Sequence, residues 1–136
     1  MKALEKKYSV AAFIDILGYK ELILKDSLES EIKHFNELKE TIDFALQCTV
    51  EATKTTMNFL ENKYGNAERL SKRLNVKQFS DNVYFSFDYS NVDKFEMLFG
   101  VYVITRISCL YQRLMLGKGY FVRGGIAHGR RIGCHG

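Results

Sequence analysis

Two aspartates stand where a carboxylate is least expected. Asp15 lies in the run VAAFIDILGYKEL, behind Val10, Ala11, Ala12, Phe13 and Ile14 and ahead of Ile16, Leu17 and Gly18. Asp81 lies in KQFSDNVYFSF, inside the turn-forming cluster Ser80-Asp81-Asn82. An ionised carboxylate buried in an apolar strand is costly unless a cation or hydrogen-bond donors meet it. Two carboxylates a few ångströms apart repel, and one takes up a proton. A divalent cation resolves both conflicts, because Mg²⁺ takes one or two carboxylates and completes its shell with water and substrate phosphate. Gly18 lets the backbone beside Asp15 approach such a phosphate closely. A plainer reading stands beside this one: Asp15 caps a helix that begins near Tyr19, and Asp81 only shapes a turn.

The elements that must position these residues follow from periodicity. Tyr8 to Leu17 reads as a strand apolar on both faces, hence central in a sheet. Tyr19 to Lys25 reads as a short helix. Leu28, Ile32, Phe35, Leu38, Ile42, Leu46, Val50, Met57 and Leu60 recur at helical spacing, which predicts a long amphipathic helix from about Leu28 to Asn62. Leu74 to Phe79 and Val83 to Asp88 read as a hairpin with Asp81 near its tip. Val92 to Leu116 reads as a helix apolar almost all round (Phe95, Leu98, Phe99, Tyr102, Val103, Ile107, Leu110, Leu114), to be packed tightly against the sheet. Tyr120 to Ala127 is a fourth, central-looking strand, followed by the glycine-rich HGRRIGCHG. The order β-α-α-β-β-α-β predicts an α+β, ferredoxin-like split-βαβ sheet with helices on one face. No linker or repeat divides the chain, so residues 1–136 are expected to form one domain, partial because no covering strand follows the fourth.

Composition narrows the class. Apolar residues make up 46% of 136 residues, enough for a core, and no proline or low-complexity run suggests disorder. No apolar stretch reaches the length of a membrane span, and MKALEKKYSV lacks a signal-peptide core, so an intracellular, cytoplasmic protein is expected. Three cysteines argue against a disulfide framework. Cys48 and Cys109 fall in helical apolar patterns and are expected in the core. Cys134 and His135 with His128 fit no standard zinc spacing. The net charge of +4 is uneven: Gly117 to Gly136 holds Lys118, Arg123, Arg130 and Arg131 and no acid, a segment that attracts phosphates. No zinc-finger, helix-turn-helix or aromatic-plus-basic signature accompanies it, so neither nucleic acid nor membrane is the expected partner.

The same motifs resemble a family. FIDILGYK is similar to the first-strand motif of class III nucleotide cyclases, KQFSDNVYFSF to their second metal-binding hairpin, and VRGGIAHGRRIG to the strand that follows. The forms FIDILG, FSDN and RGGIAHG most resemble the bacterial cyclases that make cyclic UMP or cyclic CMP in anti-phage defence. The resemblance spans nearly the whole chain. It implies that Asp15 and Asp81, with the Ile16 carbonyl, hold two Mg²⁺ or Mn²⁺ ions. It implies that the amides of Gly18, Tyr19 and Lys20 cradle the β- and γ-phosphates, that Lys77 contacts the base, and that Arg130 binds the triphosphate. The implied reaction is attack of a ribose 3′-hydroxyl on the α-phosphate of its own nucleotide, expelling pyrophosphate, in a head-to-tail homodimer. The family's transition-state Asn and Arg lie beyond the strand that ends here, so this chain alone is expected to bind metal and nucleotide with weak or no catalysis. Two alternatives remain: a non-catalytic cyclase-like domain that dimerises or regulates a partner, and a basic ferredoxin-like module that binds RNA.

Overall fold

The computed structural model describes residues 7–18, 28–64, 73–79, 81–90 and 94–130. Six elements follow one another: β1 (Lys7–Ile16), α1 (Leu28–Tyr64), β2 (Leu74–Phe79), β3 (Asn82–Ser90), α2 (Lys94–Gly117) and β4 (Val122–Arg130). The expected short helix from Tyr19 to Lys25 lies outside the described residues. The strands form one four-stranded antiparallel sheet in the order β2-β3-β1-β4. β1 is central, as its apolar composition requires. Among the described strands β4 pairs with β1 alone and lies at the sheet's edge, not at its centre as its sequence suggested.

The pleat sorts the side chains. Val10, Ala12, Ile14 and Ile16 of β1 and Val83, Phe85, Phe87 and Tyr89 of β3 are buried on the helix-covered face. Each large apolar side chain buried there contributes about 1.5–3 kcal/mol. The intervening residues, Phe13, Asp15, Tyr84 and Asp88 among them, stand on the opposite face, which no described helix covers.

α2 lies on the sheet through Phe99, Val103, Ile104, Ile107, Tyr111 and Met115, all buried. Its apolar residues do not all pack: Leu98 is 61% and Tyr102 48% exposed. A helix meets a sheet along one stripe, so composition around the remaining turn is not constrained by the core. Cys109 is exposed on that outer side, against expectation, and Cys48 is half-buried.

α1 packs on α2 through the middle of the expected stripe, with Leu38 and Ile42 buried and Leu46 and Val50 against the core, but small residues share that face and the stripe's first residues do not pack. Leu38, Thr41, Ile42, Ala45, Thr49 and Thr53 are buried, whereas Leu28, Ile32 and Phe35 are exposed. The buried threonines satisfy their hydroxyls locally. Thr41 donates to the Glu37 carbonyl at 2.8 Å, Thr49 to Ala45 at 2.8 Å and Thr53 to Thr49 at 2.7 Å. α1 is also tied to the turn before β4, where Lys118 Nζ donates to Thr41 Oγ1 at 2.7 Å and the Tyr120 hydroxyl to Glu37 Oε2 at 3.4 Å. No helix among the described residues is long and apolar enough to cross a membrane.

Candidate metal and nucleotide site

Asp15 sits near the end of β1 on the uncovered face, which answers the cost of placing a carboxylate in an apolar strand. Its register partner on β4 is Arg123. The guanidinium Nε of Arg123 donates to Asp15 at 3.2 Å and 3.4 Å. The Arg123 side chain is 71% exposed and that of Asp15 26%. An ion pair this open contributes about 0–1 kcal/mol, so a divalent cation can compete for the carboxylate.

β2 and β3 close at the pair Phe79↔Asn82, which puts Asp81 in the turn between them. The β1–β3 register ends at Ile14↔Val83. Continued by one residue it sets Asp15 beside Asn82, with Asp81 diagonally next to it, their backbones roughly 6 Å apart. Both carboxylates therefore belong to one end of the sheet, on neighbouring strands. Asp15 projects with the pleat to the uncovered side. Asp81, in the turn, is felt by Tyr111 of α2 on the covered side.

That influence is visible in the tyrosine. Burial, and secondarily the Asp81 charge, push the Tyr111 phenol from its usual value of 10.0 up to about 12. Its ring packs edge-on against Phe85 at 5.8 Å. Below pH 10 the phenol is protonated in folded and unfolded chains alike. Between about pH 10 and 12 the unfolded chain loses this proton first, so stability falls across that window by about 2–3 kcal/mol. A tyrosinate absorbance titration, with Tyr111→Phe as reference, is expected to show the late phenol. Asp81→Asn should bring it part of the way down, because burial remains. An unmoved titration in Asp81→Asn would place Asp81 away from Tyr111.

The other predicted residues fall unevenly. Gly18 follows β1 in a turn, at φ 73°, a conformation that L-residues with a Cβ rarely adopt. Ile16 buries its side chain beneath the sheet end. Tyr19 and Lys20 lie outside the described residues. Lys77 is exposed on β2, paired with Tyr84 on the uncovered face. Arg130 is not brought to this end. It pairs with Tyr8, whereas Arg123 pairs with Asp15, so seven residues of strand, roughly 23 Å, separate it from the carboxylates. Arg123, not Arg130, is the arginine beside Asp15. The sequence carried no signal for this pairing, which follows from the β1–β4 register.

At the far end of the sheet Tyr8, Tyr89 and His128 stack, with ring centroids 5.7–6.1 Å apart. The Tyr89 hydroxyl is hydrogen-bonded to His128 Nε2. Cys134 and His135 lie outside the described residues. No group of three or more His, Cys, Asp or Glu side chains gathers among the described residues. Asp15 offers one carboxylate on the uncovered side, and Asp81 stands in the neighbouring turn; such sparse donors would suit an ion that draws its remaining ligands from water and phosphate, such as Mg²⁺, and not an all-protein cage. Comparison of the chain with protein-family models, curated proteins and solved structures finds no match.

Proposed function

We propose that this chain carries the metal- and triphosphate-binding part of a nucleotide cyclase of the class III kind, acting on UTP or CTP to give the 3′,5′-cyclic monophosphate and pyrophosphate in antiviral signalling. The observation that carries the reading is that Asp15 and Asp81 lie at the same end of the sheet on neighbouring strands, next to the left-handed turn at Gly18. The strand order β2-β3-β1-β4 supports it, being that of a split βαβ sheet.

Asp15 and Asp81 act as carboxylate ligands, and Gly18 offers backbone amides to the tail phosphates. A bound Mg²⁺ or Mn²⁺ pair supplies charge neutralisation at the phosphates and acidifies the attacking hydroxyl. Arg123 guards Asp15 while no cation is bound, then turns to the phosphate that arrives with it. Positioning and charge neutralisation account for most of a phosphoryl transfer. A contact from Arg130 to the same triphosphate requires a second copy of the chain, in keeping with a homodimer.

The test is incubation of the protein with each of the four nucleoside triphosphates and Mn²⁺. Metal-dependent binding of a pyrimidine triphosphate is expected, with any product identified by mass as the cyclic monophosphate. Binding that ignores the metal would overturn the reading.

A further inference from the structure

The helix side of the sheet is left open at its β4 margin, away from the carboxylates. Ile126 of β4 pairs with Ala12, so it stands on the side that carries the helices. It is nevertheless 48% exposed, because α2 lies mainly over β1 and β3. A cleft of about 400 Å³ separates the two elements, with Ser108 and Gln112 of α2 on one wall and Ile14, Val122, Gly124 and Ile126 of the sheet below. Val101 and Thr105 precede Ser108 and Gln112 at helical spacing and extend that wall; Val101 is 39% exposed. The outer margin of β4 meets no other described strand. In an antiparallel ladder every second residue turns its N–H and C=O away from the partner strand. Proteins usually blunt such an edge with proline, lysine or brevity. β4 has nine residues, no proline and no lysine, and its three glycines let another backbone approach closely.

We propose that the β4 edge and the cleft beside α2 together take an extended, acidic segment of a partner protein, added to the sheet as a further strand. The added strand pairs with the outward backbone groups of β4, and its alternate side chains face the cleft. Those side chains must be apolar, to cover Ile126 and Val101. Charge sets the positions between them. α2 and β4 hold Lys94, Arg106, Arg113, Arg123 and Arg130 against one acid, Glu96, and Glu96 is engaged by Arg73 at 3.2 Å. The field over the groove is positive, so the intervening residues are Asp or Glu. The same field disfavours a second copy, whose own β4 brings two arginines and no acid. The surface stands whether or not the carboxylates at the sheet's end bind metal.

The probe is a synthetic octapeptide that alternates valine with glutamate, titrated into the full chain by calorimetry and followed by amide hydrogen exchange. It should bind and slow exchange at the β4 amides. Methylating one alternate set of its backbone nitrogens should weaken binding about 10-fold or more, since each lost hydrogen bond is worth roughly 2- to 12-fold; methylating the other set should not. Ile126→Glu should weaken it about 10-fold or more, with circular dichroism unchanged because the side chain is half exposed. Lysine in place of glutamate in the peptide should abolish binding. No binding of the valine–glutamate peptide, or equal binding of both methylated forms, would overturn the proposal. Slow exchange at the β4 amides of the free monomer would mean that the chain covers its own edge, and would overturn it as well. So would a dimer of the protein alone that Ile126→Glu dissociates, which would put a second copy in the groove.

Discussion

Asp15→Ala and Asp81→Ala are each expected to lower Mn²⁺-supported nucleotide affinity about 100-fold or more, since losing even an outer-shell partner of a metal ligand costs 10- to 100-fold. Neither change should unfold the protein. Asp15→Ala removes one exposed pair with Arg123, which is worth about 0–1 kcal/mol. Asp81→Ala removes a charge from the neighbourhood of a buried phenol. Arg123→Ala separates the metal role of Asp15 from its ion-pair role. Without the guanidinium the carboxylate has no competing cation, so affinity for Mn²⁺ alone should hold or rise. If Asp15 serves only as a partner for Arg123, Asp15→Ala and Arg123→Ala will behave alike, both leaving nucleotide binding untouched. Isothermal titration of the three variants distinguishes these outcomes.

The second large effect concerns the adjacent glycines of β4. A Cβ on Gly124 would overlap the Phe13 carbonyl oxygen and lie 3.0 Å from the Ile14 Cα. Both are backbone atoms of the central strand, held by β3 on the other side, so no side-chain rotation relieves the overlap. β4 would have to leave β1 locally. Ordinary overpacking costs 1–3 kcal/mol, and a backbone clash should exceed it, so Gly124→Ala is expected to cost about 3 kcal/mol or more. That is a large share of the 5–15 kcal/mol that typically holds a domain. Gly125→Ala, one residue on, meets open space and should stay within about 0.5 kcal/mol of wild type. Urea unfolding followed by circular dichroism measures both. Equal midpoints for the two variants would show that β4 does not sit this close to β1.

These cases mark what the sequence could and could not disclose. Strand and helix positions were legible because alternation and three-to-four-residue spacing survive in one dimension. The hairpin at Ser80-Asp81 was legible because turn residues interrupt two alternating runs. Register was not, because it depends on strand pairs distant in the chain. The substitution of Arg123 for Arg130 at the carboxylate end follows from that, as does the meeting of Phe13 with Tyr84. The buried face of α1 was legible at Leu38, Ile42, Leu46 and Val50, but not its full make-up. Its small residues, Thr41, Ala45, Thr49 and Thr53, pack inward where the larger Ile32 and Phe35 do not, so hydrophobicity alone overextended the stripe toward the N-terminus and passed over the threonines. Asp15 itself was flagged correctly as a residue needing a partner. Phe13, two positions earlier on the same face, carried the hint that this face is left open.

The most direct test is a Mn²⁺ titration followed by electron paramagnetic resonance, with wild type, Asp15→Asn and Asp81→Asn side by side. Saturable Mn²⁺ binding in the wild type, strengthened by a nucleoside triphosphate and lost in each single variant, is the predicted result. Undiminished Mn²⁺ binding in either asparagine variant would mean that the two carboxylates do not share an ion.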